Sequence, residues 1–157
     1  MAPAAAESMI RDLIAAPQFT RARLPIGIGM DVAGKPIVDT VELDMPETAT
    51  CIRWHAEAID KLYGQVAPSP EGTVATITQE PCGVVGAVIP WNYPAQMAAW
   101  KLGPALAAGN TVVIKPASTT SLSLLRIAEL GAEAGLPDGV LNVVTGPGDS
   151  VGEAIGR

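Results

Sequence analysis

Residues 84–114 read VVGAVIPWNYPAQMAAWKLGPALAAGNTVVI, and the order of this stretch decides the fold. Val84 to Ile89 is a continuous apolar run of strand length, the pattern of a strand buried on both faces. Pro90-Trp91-Asn92-Tyr93-Pro94 interrupts it, because two prolines so close together can continue neither a ladder nor a helix. From about Ala95 to Ala108 the chain reads as a helix that stops at Gly109-Asn110, and Thr111 to Ile114 is again a short buried strand. Strand, helix and strand at this spacing are two parallel strands joined by a helical crossover. The order repeats downstream: a helix over Ser121–Ala134 closed by Gly135, a strand over Val140–Val144, and a helix starting at Val151. The predicted class is therefore α/β, a parallel sheet built from βαβ units.

Working outward, Thr73 to Thr78 alternates small polar and apolar residues like a half-exposed strand, and Val66 to Gly72, with Pro68 and Pro70, reads as a proline-rich break. Asp44 to Gly64 is predicted as a helix, with Pro46 near its first turn, Gly64 just past its end, and Ile52, Ala56, Ile59 and Leu62 as its buried face. Glu7 to Ala16 has the spacing of a short amphipathic helix ended by Pro17, and the glycine-bearing stretch Leu24 to Gly34 reads as irregular connection. A helix begun at Val151 and cut off at Arg157 after three strands leaves an edge strand unpaired, so the chain is expected to be truncated.

Composition excludes several classes of function. The formal net charge is −6 and the basic residues are scattered singly, so no electrostatic footprint for a nucleic acid exists. Two cysteines, Cys51 and Cys82, with no CxxC spacing, and one histidine, His55, supply neither a disulfide framework nor a metal ligand set; no metal is expected. Pro81 to Trp100 carries no charge, but Pro90, Asn92, Pro94 and Gln96 break it up, so no membrane segment is expected. Met1 to Ala6 lacks the basic start and apolar core of a secretory signal, and Glu7 and Asp12 argue against a transit peptide, which makes the cytoplasm the expected location.

Three positions carry possible chemistry. Lys115 ends a strand, where ligands of open α/β sheets gather, and Pro116 behind it holds it at the crevice. Asn92, held between two prolines, is either part of a rigid turn or an amide donor aimed at developing negative oxygen. Gly146-Pro147-Gly148-Asp149-Ser150-Val151-Gly152 is a strand-to-helix turn whose N–H groups could face a phosphate, or one whose Asp149 or Ser150 merely caps the next helix. It has one residue too many for the GxGxxG fingerprint.

Five segments in order resemble the aldehyde dehydrogenase superfamily: Glu80 to Gly86, Pro90 to Pro94, Lys101 to Asn110, Ile114 to Ala117 and Gly135 to Asn142. The similarity runs from near Gly34-Lys35-Pro36 to the end, leaving residues 1–33 as an unmatched amino-terminal segment and 34–157 as part of a Rossmann-like NAD-binding domain. Ile52-Arg53-Trp54 and Ala58-Ile59-Asp60-Lys61 look closest to the branch that oxidises γ-glutamyl-aminobutyraldehyde, betaine aldehyde and similar amino-aldehydes. The resemblance implies NAD- or NADP-dependent oxidation of an aldehyde to a carboxylate through a thiohemiacetal on a catalytic cysteine, in a homo-oligomer paired partly through a hairpin, here near 73–78.

Carried onto this chain, the resemblance makes Asn92 the catalytic, oxyanion-stabilising asparagine and Lys115 the lysine at the adenosine ribose, with Ala117 and Ser118 beside it. Gly148 and Gly152 match small residues near the pyrophosphate, and Ile89, Pro90, Trp91 and Asn92 line the nicotinamide cleft. Many members carry a glutamate where this chain has Ser118, which leaves NADP open alongside NAD. The family's general-base glutamate and nucleophilic cysteine match nothing here, and Cys51 and Cys82 read as structural. The chain is thus expected to be inactive alone, with a nucleotide-binding or subunit-pairing fragment as the alternative. Gln96, Met97 and Trp100 are the candidates for contact with a small aldehyde.

Overall fold

The computed structural model describes residues 39–157. The expected helix over Glu7–Ala16, the irregular stretch Leu24–Gly34 and the boundary near residue 34 lie outside the described residues. A turn of π-helix, Thr40–Asp44, leads without a break into α1, Met45–Ala58, and Pro46 follows directly on that turn. Thr48 Oγ1 donates to the Asp44 carbonyl at 2.6 Å and so closes this entry. The helix tightens into a 3₁₀ turn, Ile59–Lys61, and ends there. Leu62, expected on the buried face, is instead 71% exposed: its backbone is already extended, so it no longer follows the helical face that buries Ala56.

Strands β1, Gln65–Ala67, and β2, Ala75–Ile77, form an antiparallel hairpin in which Val66 pairs with Thr76. The expected strand near 73–78 is present, but the proline-rich break is shorter than read, since its first residues pair as β1. Pro68 and Pro70 fall in the connection, where no ladder N–H is needed.

The second sheet has the order β3-β4-β5, all parallel: β3 is Val84–Val88, β4 is Thr111–Lys115 and β5 is Leu141–Val143. Helices α2, Pro94–Ala107, and α3, Leu122–Glu133, make the crossovers. Both pack on one face, where Ala98 and Leu102 of α2, Leu124 and Ile127 of α3, and Val112 and Ile114 of β4 form the core. The short α4, Glu153–Ile155, approaches the opposite face and meets β3 at Gly86. This is the predicted α/β architecture with parallel βαβ units.

One strand departs from expectation. β3 is not buried on both faces: Val84 is 73% and Val88 52% exposed, because β3 lies at the edge of the described sheet and α4 covers little of its second face. Its apolar content says that a strand could be buried; only the strand order says whether it is.

The end of α2 shows why the next strand starts where it does. Gly109 takes φ +80°, its N–H bonds the Leu106 carbonyl at 2.9 Å, and Asn110 N–H bonds the Ala105 carbonyl at 3.0 Å, a glycine-terminated helix end. The buried Asn110 side chain then donates to the Ala105 carbonyl and accepts from Gly83 N–H at 3.0 Å, tying the helix end to the start of β3.

Candidate functional site

Parallel strands bring their carboxyl ends to one rim, and the residues that sequence reasoning singled out lie there. Val88 is in register with Lys115, and Ile114 with Val143. One residue further on, Ile89 N–H bonds the Lys115 carbonyl and Val144 N–H the Ile114 carbonyl, each at 3.0 Å, so the three loops leave the sheet side by side.

Lys115 is the most constrained of these residues. Its side chain is buried, with 3% of the residue exposed, and Nζ donates to the Pro116 carbonyl at 2.9 Å. No carboxylate among the described residues pairs with it. An ammonium has three donors, and a buried cation needs partners for them. A Cβ placed on Gly152 would lie 3.7 Å from Lys115 Cδ, so the lysine stem runs along the glycine of the following turn. Ser118 is exposed and its Oγ donates to the Gly146 carbonyl at 3.0 Å, which joins the loop after β4 to the loop after β5. Ala117 between them is half-buried.

The turn after β5 is bent at Gly146, whose φ is +149° and whose hypothetical Cβ would sit 2.6 Å from Val151 Cγ2. The backbone then passes through a turn of π-helix, Gly148–Gly152. Neither Asp149 nor Ser150 caps it; Val151 N–H bonds the Pro147 carbonyl instead. Open space surrounds the position of a Cβ on Gly148.

At the end of β3, Ile89 is buried in the core, which leaves its backbone at the rim, while Pro90, Trp91 and Asn92 are exposed. Tyr93 has an extended φ of 172° before Pro94 opens α2, and Met97 N–H bonds the Tyr93 carbonyl at 2.8 Å. The structure thus sets Lys115 alongside Gly152 and joins Ser118 to Gly146, and leaves Asn92 on the neighbouring loop of the same rim. Sequence reasoning named Gly146 as part of its turn but not for its carbonyl or its φ, and it missed Glu47 of α1, which accepts a hydrogen bond from Gln96 Nε2 across the helix pair. No local pattern links residues 47 and 96; only the packing of α1 on α2 does.

Neither thiol belongs to this rim. Cys51 lies within α1, where burial raises its pKa and so keeps it protonated, and Cys82 is exposed at the opposite, amino-terminal end of β3. Among the described residues no group of three His, Cys, Asp or Glu side chains could hold a metal ion, and no helix is long and apolar enough to cross a membrane.

The aldehyde dehydrogenase family model matches residues 20–157, beginning before the boundary expected near residue 34. An aminoacetaldehyde dehydrogenase of Pseudomonas aeruginosa is 55% identical over 125 residues, 80% of this chain and 25% of its own length. The NADP/NAD-dependent aldehyde dehydrogenase PuuC of Escherichia coli is 55% identical over 124 residues, 79% of this chain and 25% of its own length. A variant of the AldA indole-3-acetaldehyde dehydrogenase of P. syringae, solved in complex with NAD+ and IAA, superposes with a TM-score of 0.90 at 43% identity, covering 99% of this chain and 31% of that one. The chain spans about a quarter of the length of the curated relatives it matches. With this family match, these identities and the parallel α/β fold, the chain belongs to the aldehyde dehydrogenase family.

Proposed function

We propose that this chain forms the dinucleotide-binding and oxyanion-stabilising portion of an NAD(P)-dependent dehydrogenase for small amino-aldehydes. The observation that carries the reading is Lys115, a buried ammonium with one carbonyl partner at the carboxyl end of a parallel strand. Two donors remain on Nζ, which fits the hydroxyls of a ribose, and Gly152 keeps the neighbouring turn free of a side chain along the lysine stem. Ser118 offers a hydroxyl where a carboxylate would repel a 2′-phosphate, which fits either dinucleotide. When bound, the dinucleotide accepts the hydride. Asn92, exposed on the adjacent loop, offers two amide N–H donors for the oxygen on which negative charge builds up.

The nucleophilic thiol and the general base come from outside these 157 residues in this reading, since Cys51 and Cys82 both lie away from the rim. The choice of amino-aldehydes rests on the relatives, one of which is named for aminoacetaldehyde. The hairpin of β1 and β2, with Val66 and Val74 more than 70% exposed, is proposed as a pairing surface between subunits.

The test is a titration of the chain with NAD+ and NADP+, followed by tryptophan fluorescence, to which Trp91, exposed at the rim, contributes. Lys115→Met weakens binding by at least about tenfold, yet does not lower the melting temperature, because an apolar side chain of similar length replaces a buried charge. No aldehyde-dependent NADH or NADPH forms with the chain alone. Equal binding by Lys115→Met, or no binding by the unsubstituted chain, refutes the assignment of this crevice.

A further inference from the structure

Glycines at 146, 148 and 152 leave three positions of the turn after β5 without a Cβ, and glycine-rich backbone loses more conformational freedom on being ordered than any other. β5 itself ends at Val143, and Val144 N–H still bonds the Ile114 carbonyl, but beyond that point no side chain caps the turn of π-helix Gly148–Gly152. Two side chains of the loop after β4 reach across to it instead. The Lys115 stem passes Gly152, and Ser118 Oγ donates to the carbonyl of the half-buried Gly146 at 3.0 Å, where φ is +149° and the chain bends. A serine hydroxyl has one proton, and here it is committed to Gly146.

We infer that Ser118 is a positioning residue: through the Gly146 carbonyl it holds the turn after β5 in the shape that receives a dinucleotide, and its part in binding is preorganisation rather than a hydrogen bond donated to the ribose. The inference rests on the dinucleotide-binding reading above. A turn ordered before the ligand arrives removes the ordering cost from the binding step. Because the hydroxyl proton stays on Gly146, loss of the hydroxyl acts through the turn, and it weakens a dinucleotide with a 2′-hydroxyl and one with a 2′-phosphate alike. A hydroxyl that donated to the ligand would favour the two unequally, since a phosphate is a charged acceptor and a ribose hydroxyl a neutral one.

The experiment uses the whole 157-residue chain and measures amide hydrogen exchange by mass spectrometry together with Kd for NAD+ and NADP+. Val151 N–H, bonded to the Pro147 carbonyl at 3.0 Å, is the reporter within the turn. In the free protein Ser118→Ala is expected to speed exchange over residues 146–152 by about fivefold, the size of one lost hydrogen bond, with exchange in α2 unchanged. It is expected to raise Kd for NAD+ and for NADP+ by the same factor, about fivefold. Ser118→Thr, which keeps the hydroxyl, is expected to restore both readouts. Unchanged exchange in the turn of Ser118→Ala overturns the inference, and exchange that quickens in α2 as well overturns it by showing a loss of global stability. A ratio of the two Kd values shifted by more than about threefold overturns it by showing direct contact with the ligand. Dinucleotide binding that Ser118→Ala leaves unchanged refutes this inference alone; no binding by the unsubstituted chain refutes the dinucleotide-binding reading and the inference with it.

Discussion

Gly103, buried in the middle of α2, is where α1 comes closest, and Gly103→Ala tests how rigid that contact is. A Cβ there would lie 2.7 Å from His55 Nδ1, 3.0 Å from its Cγ and 3.4 Å from its Cβ. The first distance is well inside van der Waals contact, so something must move. The imidazole is not a loose end: Nδ1–H donates to the Cys51 carbonyl at 2.9 Å, and the ring stands edge-on to Trp54 with centroids 4.9 Å apart. Overpacking of this kind costs about 1–3 kcal/mol. Replacing a helix-interior glycine by alanine returns about 1 kcal/mol. The expected net loss is up to about 2 kcal/mol, a fall in Tm of up to about 8 °C for a domain of this size. In a His55→Ala background the obstacle is gone, and Gly103→Ala should stabilise by up to about 1 kcal/mol. Thermal unfolding of the four proteins, followed by circular dichroism, measures the cycle. If Gly103→Ala stabilises the unsubstituted chain, or costs the same in both backgrounds, the helices are not held apart by this ring and the reasoning fails.

Asn92→Ala in the complete enzyme should lower kcat by about a hundredfold, the scale of one lost oxyanion donor, while dinucleotide affinity changes little; equal losses in both would show that the amide only braces the loop. Ser118→Glu should shift the ratio of catalytic efficiencies away from NADP and toward NAD by at least about tenfold, through repulsion of the 2′-phosphate, and a ratio that stays put would place residue 118 away from the ribose. Gly146→Ala should destabilise the chain by about 1–3 kcal/mol, measured by urea unfolding, because φ is +149° and the new Cβ would meet Val151 Cγ2 at 2.6 Å; a neutral result would show that this turn relaxes freely.

The sequence by itself determined the class of fold and the rim on which the candidate residues lie. The short apolar runs within Val84–Val88 and Thr111–Lys115, separated by a helix with a proline start and a glycine end, are local signals, and local signals survive in one dimension. Lys115 could be placed at a strand end from its neighbours alone, since Pro116 ends the strand. The misreadings have a common cause. The exposure of Val84 and Val88, the pairing of Gln65–Ala67 and the exposure of Leu62 depend on which element lies alongside, and composition does not record neighbours. The partners within the site are equally invisible from the chain order: Ser118 reaches the Gly146 carbonyl 28 residues away, Glu47 holds Gln96 across 49 residues, and Lys115 runs along Gly152. Each of these contacts exists because parallel crossovers return the chain to the same end of the sheet and because α1 packs on α2 at a glycine. The residue types were legible in the sequence, but their partners were decided by tertiary packing, which alone brings distant backbone carbonyls and carboxylates within hydrogen-bonding distance.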